Sequence, residues 1–369
     1  MLKRIGKTLL WLGAAMVLTA AGGLGYRAWR QAGAERLVAI ATPNGIDEGL
    51  FVAVRGTEQW VTIRGQDRAN PLLFVLHGGP GATLSPLPAE FLLYERDWTV
   101  VQWDQPGAGR TFMRAGGKLA PDTTVAGIAA DGLVVAEFVA ARLGQPRVVV
   151  LGLSFGSVVG LDMVRARPEL FSAYVGTGLF VHRDDGYKIV YDRALARARQ
   201  SNNTDASAAL EAIGPPPYTT PEAARTQARW TRELSTATTT SAFERLGELL
   251  LAPRQTLADV RGYVGGFVAS DEQFDLGAMD LRTSPREFAV PIVIVQGAED
   301  VDTPIELARA YLDSIAAPYK LLVPLERGGH TALVDDAEAF ARALNEHVLP
   351  LARAAPPAAT ASSLRSYEP

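Results

Sequence analysis

The residues best suited to covalent chemistry stand at 152–156, which read Gly-Leu-Ser-Phe-Gly. They follow the β-branched run 148–150 and precede a stretch that is compatible with a helix. A serine on a sharp strand–turn–helix bend has an exposed hydroxyl, and glycines are needed beside it because the flanking backbone passes close. We therefore predict that Ser154 is a nucleophile and that the N–H of Phe155 is one donor of an oxyanion hole.

A general base must accept the proton of the serine, and histidine commonly fills this role. The chain has four histidines. His77 lies in a glycine-rich loop well before the serine, His182 begins a helical interval, and His347 lies in the last predicted helix. His330 follows a short apolar run and lies in a loop that contains two glycines. Its position after a predicted strand favours His330 as the base.

An acid that orients the histidine is expected between the serine and the histidine along the chain, the order that strand–turn–helix serine hydrolases use. The loop after the apolar run 292–295 contains three carboxylates, Glu299, Asp300 and Asp302. Asp300 stands midway between the glycine that ends the run and the proline that opens the next helix, and we predict that it completes a catalytic triad. For Asp302, a cap at the start of that helix is the alternative role.

A second oxyanion donor is expected from residues 77–81, which read His-Gly-Gly-Pro-Gly directly after the apolar run 72–76. Such a loop can turn a main-chain N–H toward the oxygen on which negative charge develops. We predict that Gly79 is this donor, with Gly78 as the alternative.

Short apolar runs alternate with helical patterns over most of the chain. The first two runs, residues 51–55 and 60–64, alternate in polarity and are typical of a hairpin. The later runs are continuously apolar and are separated by helical stretches such as 125–143. Buried strands interleaved with helices predict a mostly parallel sheet with helices on both faces. These later runs lie at 72–76, 99–103, 148–151, 174–176, 292–295 and 320–323.

The alternation stops between residues 182 and 288, where only helical patterns occur. An insertion of this size before the strand that leads to Asp300 predicts a helical cap. The cap should cover the C-terminal edge of the sheet, where open α/β sheets bind ligands. The predicted core therefore has a first part at 48–181 and a second part at 289–353, with the cap at 182–288 between them.

The first 30 residues contain an uncharged run, 8–26, that follows several basic residues. These nineteen residues would span roughly 28 Å as a helix, close to the ~30 Å core of a bilayer. We predict a membrane anchor that, in a bacterial cell, leaves the catalytic domain on the periplasmic face of the inner membrane. A cleaved signal peptide and a secreted domain are the alternative. Residues 31–47 are predicted to be a linker, and 354–369 a disordered tail.

The composition argues against several other classes of protein. The 36 basic and 40 acidic residues give a formal net charge of −4 without a basic stripe, so no nucleic-acid partner is expected. The chain has no cysteine, which excludes disulfides, thiolate metal sites and a cysteine nucleophile. We expect no metal and no cofactor, and a small molecule or short peptide as the substrate.

Three motifs resemble those of the proline iminopeptidase family of α/β hydrolases. They are His-Gly-Gly-Pro-Gly at 77–81, Asp-Gln-Pro-Gly-Ala-Gly-Arg-Thr at 104–111 and Gly-Leu-Ser-Phe-Gly-Ser at 152–157. The family commonly has arginine and tryptophan where this chain has Pro106 and Phe155. The resemblance covers roughly residues 45–350. It implies an α/β-hydrolase fold with a helical cap, and the release of an N-terminal residue, typically proline, from short peptides.

The resemblance also implies roles for polar residues around the site. Members of the family bind the free amine of the substrate with cap glutamates, one of them in a tryptophan-rich helix. Residues 230–233, Trp-Thr-Arg-Glu, partly match that helix and imply Glu233 and Trp230 as substrate-binding residues. Asp104 and Arg110 are expected to brace the turn beside the oxyanion loop.

These residues predict a serine hydrolase that cleaves an amide or ester bond through an acyl-enzyme. The resemblance favours an aminopeptidase, with a carboxylesterase or lactonase on the same fold as the alternative. A non-catalytic, membrane-anchored binding protein is the alternative of another class, and the intact set of serine, histidine and acid argues against it.

Overall fold

The computed structural model of the chain describes residues 2–237 and 242–354, without the side chains of 2–10, 12–15, 242 and 243. Of the predicted tail, only Ala354 lies within the described residues. One sheet holds the eight strands found in these ranges. They are β1 (Ile46–Val54), β2 (Thr57–Gly65), β3 (Leu72–Leu76), β4 (Thr99–Trp103), β5 (Val148–Leu153), β6 (Phe171–Thr177), β7 (Ile292–Gly297) and β8 (Lys320–Leu325).

The strands lie in the order β1-β2-β4-β3-β5-β6-β7-β8. β2 pairs antiparallel with both β1 and β4, and the remaining neighbours are parallel. The two residues between β1 and β2, Arg55 and Gly56, have positive φ angles of 46° and 87°. Two such residues form the tight turn that matches the twist of a hairpin. The prediction of a mostly parallel sheet that begins with a hairpin is therefore confirmed.

Thirteen α-helices connect and cover the strands in the described part of the chain. Before the nucleophile motif are α1 (Leu2–Leu37), α2 (Gly109–Arg114) and α3 (Val125–Leu143), and directly after it is α4 (Phe155–Ala166). The cap contains α5 (Arg183–Gln200), α6 (Thr204–Ile213), α7 (Pro221–Glu233), α8 (Ala242–Leu251) and α9 (Leu257–Gln273). The last four are α10 (Ile305–Ser314), α11 (Ala332–Asp335), α12 (Ala337–His347) and α13 (Leu349–Ala354).

The central strands are buried on both faces, so their alternating side chains enter two separate cores. Phe74 and Val150 pack with residues of α3, α4 and α10 on one face. Leu73 and Val149 pack with residues of α12 on the other face. Burial of a side chain of this size contributes about 1.5–3 kcal/mol, and these two layers hold the strand ends in fixed positions.

The cap lies between β6 and β7, and its described residues contain no strand. Helices α5, α6 and α7 pack around Tyr191, Leu210 and Trp230. Helix α9 packs against the loop before α2 at very short range, since a Cβ on Gly266 would lie 2.5 Å from the carbonyl oxygen of Gly107. Neither α6 nor α9 was among the helices predicted from the sequence.

Helix α1 continues to Leu37 and so extends into the segment 31–47 that was predicted to be a linker. Its C-terminal part is held on the cap by side chains that face carbonyl groups in the last turn of α8 and in the loop after it. Arg27 Nε donates to the oxygen of Leu250 at 2.9 Å, and Gln31 Nε2 donates to that of Ala252 at 2.8 Å. These long-range contacts stabilise helical turns that the local sequence does not indicate.

Where the structure describes the chain, none of its helices is both long and apolar enough to cross a membrane. The predicted membrane segment, 8–26, falls partly on residues whose side chains lie outside the described residues. The anchor therefore stays a prediction.

Candidate active site

Ser154 stands at the sharp turn between β5 and α4. Its φ and ψ angles are 52° and −120°, a conformation that side chains rarely adopt and that the surrounding structure must enforce. The turn is possible because the glycines on either side leave room for neighbouring backbone. A Cβ on Gly152 would lie 2.5 Å from the oxygen of Gly156, and one on Gly156 would lie 2.4 Å from the oxygen of Leu76.

His330 and Asp300 form a hydrogen-bonded pair at the ends of the last two strands. His330 Nδ1 lies 3.0 Å from Asp300 Oδ2. The carboxyl group of Asp300 is completely buried, whereas the imidazole is one-fifth exposed. A carboxylate on Nδ1 fixes the ring orientation and leaves Nε2 free to accept a proton.

Further donors hold the Asp300 carboxylate in place. Oδ1 accepts the N–H groups of Asp302 and Thr303, each at 2.8 Å. Oδ2 accepts the hydroxyl of Thr303 at 2.7 Å and the side-chain amide of Gln296 at 2.9 Å. These hydrogen bonds replace those that the carboxylate would make with water, so it can remain ionised inside the protein.

The two partners shift each other's pKa in opposite directions. Burial acts to lower the pKa of the His330 imidazole, but the charge and hydrogen bond of Asp300 outweigh it and raise that pKa to about 9. Burial acts to raise the pKa of the Asp300 carboxyl, but the charge and hydrogen bond of His330 outweigh it and hold that pKa below its usual range. The pair therefore favours imidazolium beside carboxylate near neutral pH.

The end of β6 connects Ser154 with His330. The N–H of Ser154 donates to the oxygen of Thr177 at 3.0 Å. The next residue, Gly178, lies against the imidazole, since a Cβ there would be 3.0 Å from His330 Cε1. The predicted nucleophile and base are therefore brought to one small region of the sheet edge by two consecutive residues.

The loop 77–81 lies over the nucleophile turn. A Cβ on Gly78 would lie 2.8 Å from the Cβ of Ser154, and Gly79 has a φ of +110°. Phe155 is the first residue of α4, where an N–H group has no acceptor within the helix. The predicted oxyanion donors, Phe155 with Gly79 or Gly78, thus lie in segments that adjoin the serine.

His77 has a structural position in this loop. Its ring is buried, Nδ1 lies 2.9 Å from the oxygen of Gly78, and Nε2 accepts the N–H of Gln105 at 3.3 Å. Burial lowers the pKa of His77 to about 4, so the ring is neutral and can donate from Nδ1 while it accepts at Nε2. His77 therefore fixes the loop rather than serving as a base.

Asp104 and Arg110 brace the turn beside this loop, where the resemblance placed them. Asp104 Oδ1 accepts the hydroxyls of Thr83 and Ser85, and its Oδ2 accepts the N–H of Arg110 at 2.7 Å. The guanidinium of Arg110 pairs with Asp259 at the start of α9, 3.0 Å away. The pair thus connects the loop, α2 and the cap.

Asp300, Asp302 and His330 also form a group in which one possible metal-ligand atom of each lies within 4.8 Å of the others. Two members of this group, His330 and Asp300, form the hydrogen-bonded pair described above, so the arrangement fits a base with its acid better than a metal centre.

The structure does not bring Glu233 or Trp230 to the nucleophile side of the cap. Trp230 is buried in the core between α5, α6 and α7, and the guanidinium of Arg229 lies over its ring at 4.6 Å. Glu233 is half-exposed and pairs with Arg229 at 2.7 Å. The resemblance of 230–233 to the family's helix did not show which face of α7 turns inward.

The opposite face of α7 lines a cavity that sequence reasoning missed. Gln227 and Thr231 of this helix contribute to it, with Asp302 from the loop after β7. The sequence does contain a pattern for this face. The three- and four-residue spacing of one helix face is followed by Ala224, Gln227, Ala228 and Thr231. Because two members of this face are polar, the spacing of apolar residues alone does not indicate it.

Curated relatives that match the chain include a probable aminopeptidase and a probable proline iminopeptidase. The chain is 25% identical over 307 residues to the probable aminopeptidase YbaC of Bacillus subtilis, which covers 80% of this chain and 94% of the relative. It is 34% identical over 138 residues to a probable proline iminopeptidase of Streptomyces coelicolor, which covers 36% of this chain and 40% of the relative.

Solved structures share the fold at low sequence identity. The proline iminopeptidase of Mycobacterium smegmatis is 18% identical with a TM-score of 0.57, over 84% of this chain and all of that chain. An esterase from Exiguobacterium antarcticum is 21% identical with a TM-score of 0.51, over 81% of this chain and 98% of that chain. The conserved pattern of the alpha/beta hydrolase family matches residues 72–343, from β3 to α12. The chain therefore belongs to the alpha/beta hydrolase family.

Proposed function

We propose that the protein is a serine hydrolase that cleaves an amide or ester bond through an acyl-enzyme, with Ser154, His330 and Asp300 as its catalytic triad. One observation carries the proposal. The strained turn of Ser154, bonded to Thr177, and the hydrogen-bonded pair of His330 and Asp300, whose ring lies against Gly178, occur at the same edge of the sheet. A plain structural serine does not need this conformation or such a partner.

In the proposed reaction, Ser154 Oγ attacks the substrate carbonyl and transfers its proton to His330 Nε2. Asp300 supports the imidazolium that forms, through the bond to Nδ1. The N–H of Phe155 and one from Gly79 or Gly78 hold the oxyanion. Collapse breaks the bond to the leaving group, which takes the proton from Nε2. Water then repeats the sequence on the acyl-enzyme, releases the acid and returns the proton to Ser154.

We favour an aminopeptidase similar to proline iminopeptidases. The loop 77–81 and the relative named a probable aminopeptidase, matched along 94% of its length, support this substrate class. The carboxylesterase or lactonase is the second candidate. It is favoured by the position of Glu233, which pairs with Arg229 on the outer face of α7 instead of facing a substrate.

A panel of substrates separates the two candidates. Prolyl and alanyl p-nitroanilides present a free amine and an amide bond, whereas p-nitrophenyl butyrate presents a neutral ester. If the protein is an aminopeptidase, its kcat/KM for an anilide should exceed that of the Ser154→Ala variant by several orders of magnitude. Hydrolysis of the ester alone would contradict the aminopeptidase and support the esterase.

We also propose that residues 8–26 anchor the protein in a membrane, with the catalytic domain on the periplasmic side in a bacterial cell. Exposed apolar side chains on the described part of α1 support this proposal, among them Met16, Val17 and Leu18. A chain that lacks residues 1–26 should leave the membrane fraction, while the full chain stays in it. A full chain that fractionates as freely as the truncated one would contradict the anchor.

A further inference from the structure

Gln296 is a polar side chain in the buried part of the sheet. It is the second-last residue of β7, and its side chain has 0% exposure. The residues before it on this strand, 292–295, are apolar and pack in the two cores. An amide in such surroundings destabilises the fold unless its donors and its acceptor are hydrogen-bonded. The partners of Gln296 therefore show what this side chain holds in place.

The amide nitrogen of Gln296 holds the loop that carries the acid. Nε2 donates to Asp300 Oδ2 at 2.9 Å and to the backbone oxygen of Thr303 at 2.7 Å. The first of these acceptors is the carboxylate oxygen that lies 3.0 Å from His330 Nδ1. The two N–H groups therefore fix both the carboxylate and the chain that follows it.

The amide oxygen of Gln296 holds the end of the neighbouring strand. Oε1 accepts the N–H of Leu179 at 3.0 Å. Leu179 follows Gly178, where an added Cβ would lie 3.0 Å from His330 Cε1. One buried side chain thus connects the acid with the segment against which the base lies.

We propose that Gln296 is a positioning residue of the triad. It sets the distance between the Asp300 carboxylate and Gly178, and so the position of the His330 ring that contacts both. The proposal rests on the serine hydrolase function and adds to it a residue that acts through Asp300 and not on the substrate. A buried amide with all of these bonds made favours a single geometry of the groups that it joins.

Other donors to the Asp300 carboxylate differ from Gln296 in their place in the fold. The N–H groups of Asp302 and Thr303 and the Thr303 hydroxyl belong to the same loop as the acid and move with it. Gln296 belongs to a strand that is paired on both sides, so its amide ties the loop to a fixed element. Displacement of a catalytic group by about 1 Å can lower the rate about 100-fold, and loss of this tie should therefore reduce kcat.

Gln296→Met tests the proposal, because methionine has a similar length but no N–H donor and only a weak acceptor. On the substrate that the wild type hydrolyses best, it should lower kcat about 10-fold or more and keep KM within about 2-fold. Val295→Ala is the matched control, since Val295 is the buried neighbour on β7 and packs in the core on the other face. It should also lower the melting temperature, but keep kcat within about 2-fold. Equal losses of kcat in the two variants, or an unchanged kcat in Gln296→Met, would overturn the proposal.

Gln296→Glu is the second variant, which keeps the size of the side chain in case methionine prevents folding. Its carboxyl group still accepts from Leu179, and it donates to Asp300 only while it is protonated. Once ionised, it repels the Asp300 carboxylate. The ratio of its kcat to that of the wild type should therefore fall about 10-fold as the pH rises. A ratio that is the same at every pH would show a structural role and overturn the proposal.

The Nδ1 proton of His330 gives a readout that does not need catalysis. Held in a buried bond to Asp300, this proton exchanges slowly with water and should give a resolved low-field signal in the proton NMR spectrum. The signal should be present in the wild type and in Val295→Ala and should be lost in Gln296→Met. An unchanged signal in Gln296→Met would overturn the proposal. A wild type that hydrolyses neither the anilides nor the ester would instead contradict the proposed function, and the Nδ1 signal would then decide the role of Gln296 alone.

Discussion

The imidazole of His330 rests on Gly178, where a Cβ would approach the ring atoms Cε1 and Nδ1 to 3.0 and 3.1 Å. Gly178 has a φ of +52° and directly follows the residue whose carbonyl oxygen accepts the N–H of Ser154. The end of β6 therefore sets the position of the base as well as that of the nucleophile. The proposed triad therefore requires that residue 178 has no side chain, since the imidazole of His330 occupies that space.

Gly178→Ala should displace the imidazole and lower kcat by about 10-fold or more, because a small misplacement of a catalytic group strongly reduces the rate. Gly144→Ala is the matched control, since Gly144 has a φ of +63° and an added Cβ would have nothing within 4 Å. Both variants should lose about 1–2 kcal/mol of unfolding free energy from the left-handed backbone. Equal activity of the two variants would contradict the role of Gly178.

Asp300→Asn should lower kcat about 10⁴-fold, because the amide holds the imidazole in the wrong tautomer and gives no support to its charge. Asp302→Asn should lower kcat for p-nitrophenyl butyrate less than 10-fold, since its exposed carboxylate lies beside the triad without the hydrogen bond to His330 Nδ1. Steady-state kinetics of the two variants on the same ester check the assignment. A reversal in severity would make Asp302 the acid.

The pH dependence should follow the raised pKa of His330. The ring accepts the serine proton only when it is neutral, so kcat/KM should rise with pH through an acid limb near 9 rather than near 6.5. NMR titration of His330 in the Ser154→Ala variant should give a pKa of about 9. In the double variant Ser154→Ala, Asp300→Asn, the pKa of His330 should be lower. If the acid limb of kcat/KM stayed at the same pH in Asp300→Asn, this would contradict the proposed effect of the Asp300 charge on the pKa of His330.

The same shift has a consequence for stability. Because the folded protein binds the His330 proton more tightly than the unfolded chain does, protonation stabilises the fold. This contribution is complete below pH 6.5 and is lost as the pH rises through about 9. The melting temperature of the wild type should therefore fall more steeply over this range than that of His330→Gln.

Arg197 connects the cap to the loop that carries the acid. Its guanidinium donates to both carboxylate oxygens of Glu299 at 2.6 Å, one residue before Asp300. Arg197→Ala should loosen the loop and lower kcat about 5-fold, the effect of about 1 kcal/mol from a partly exposed pair. Arg199 lies on the same helix as Arg197 and forms an exposed pair with Glu211 of α6, so Arg199→Ala serves as the control. Equal kcat values for both variants would show that the loop does not need the cap.

Much of the core could be predicted because its signals are local. The run 72–76 and the helix 125–143 have the bounds that were predicted, since continuous apolar residues and glycine turns fix short buried strands and their crossovers. The conformation of Ser154 was also foreseeable, because the glycines at 152 and 156 are required by backbone contacts within the same motif.

The parts that escaped prediction depend on contacts between distant residues. The last turns of α1 are held by carbonyl groups more than 200 positions away along the chain. The inward face of α7 is set by packing of Trp230 against α5 and α6, which turns Glu233 outward and Gln227 inward. Helix propensity alone cannot choose between two amphipathic faces that both contain polar residues.

Reaction with a fluorophosphonate probe, followed by mass spectrometry of the labelled peptide, tests the central claim most directly, because only an activated serine attacks the phosphorus atom. The wild type should carry the label on Ser154, and both Ser154→Ala and His330→Ala should lose it, with turnover reduced about 10⁴-fold or more. Ser201→Ala, at the end of α5, should be labelled like the wild type. Absence of labelling in the wild type, or a label on another serine, would contradict the account.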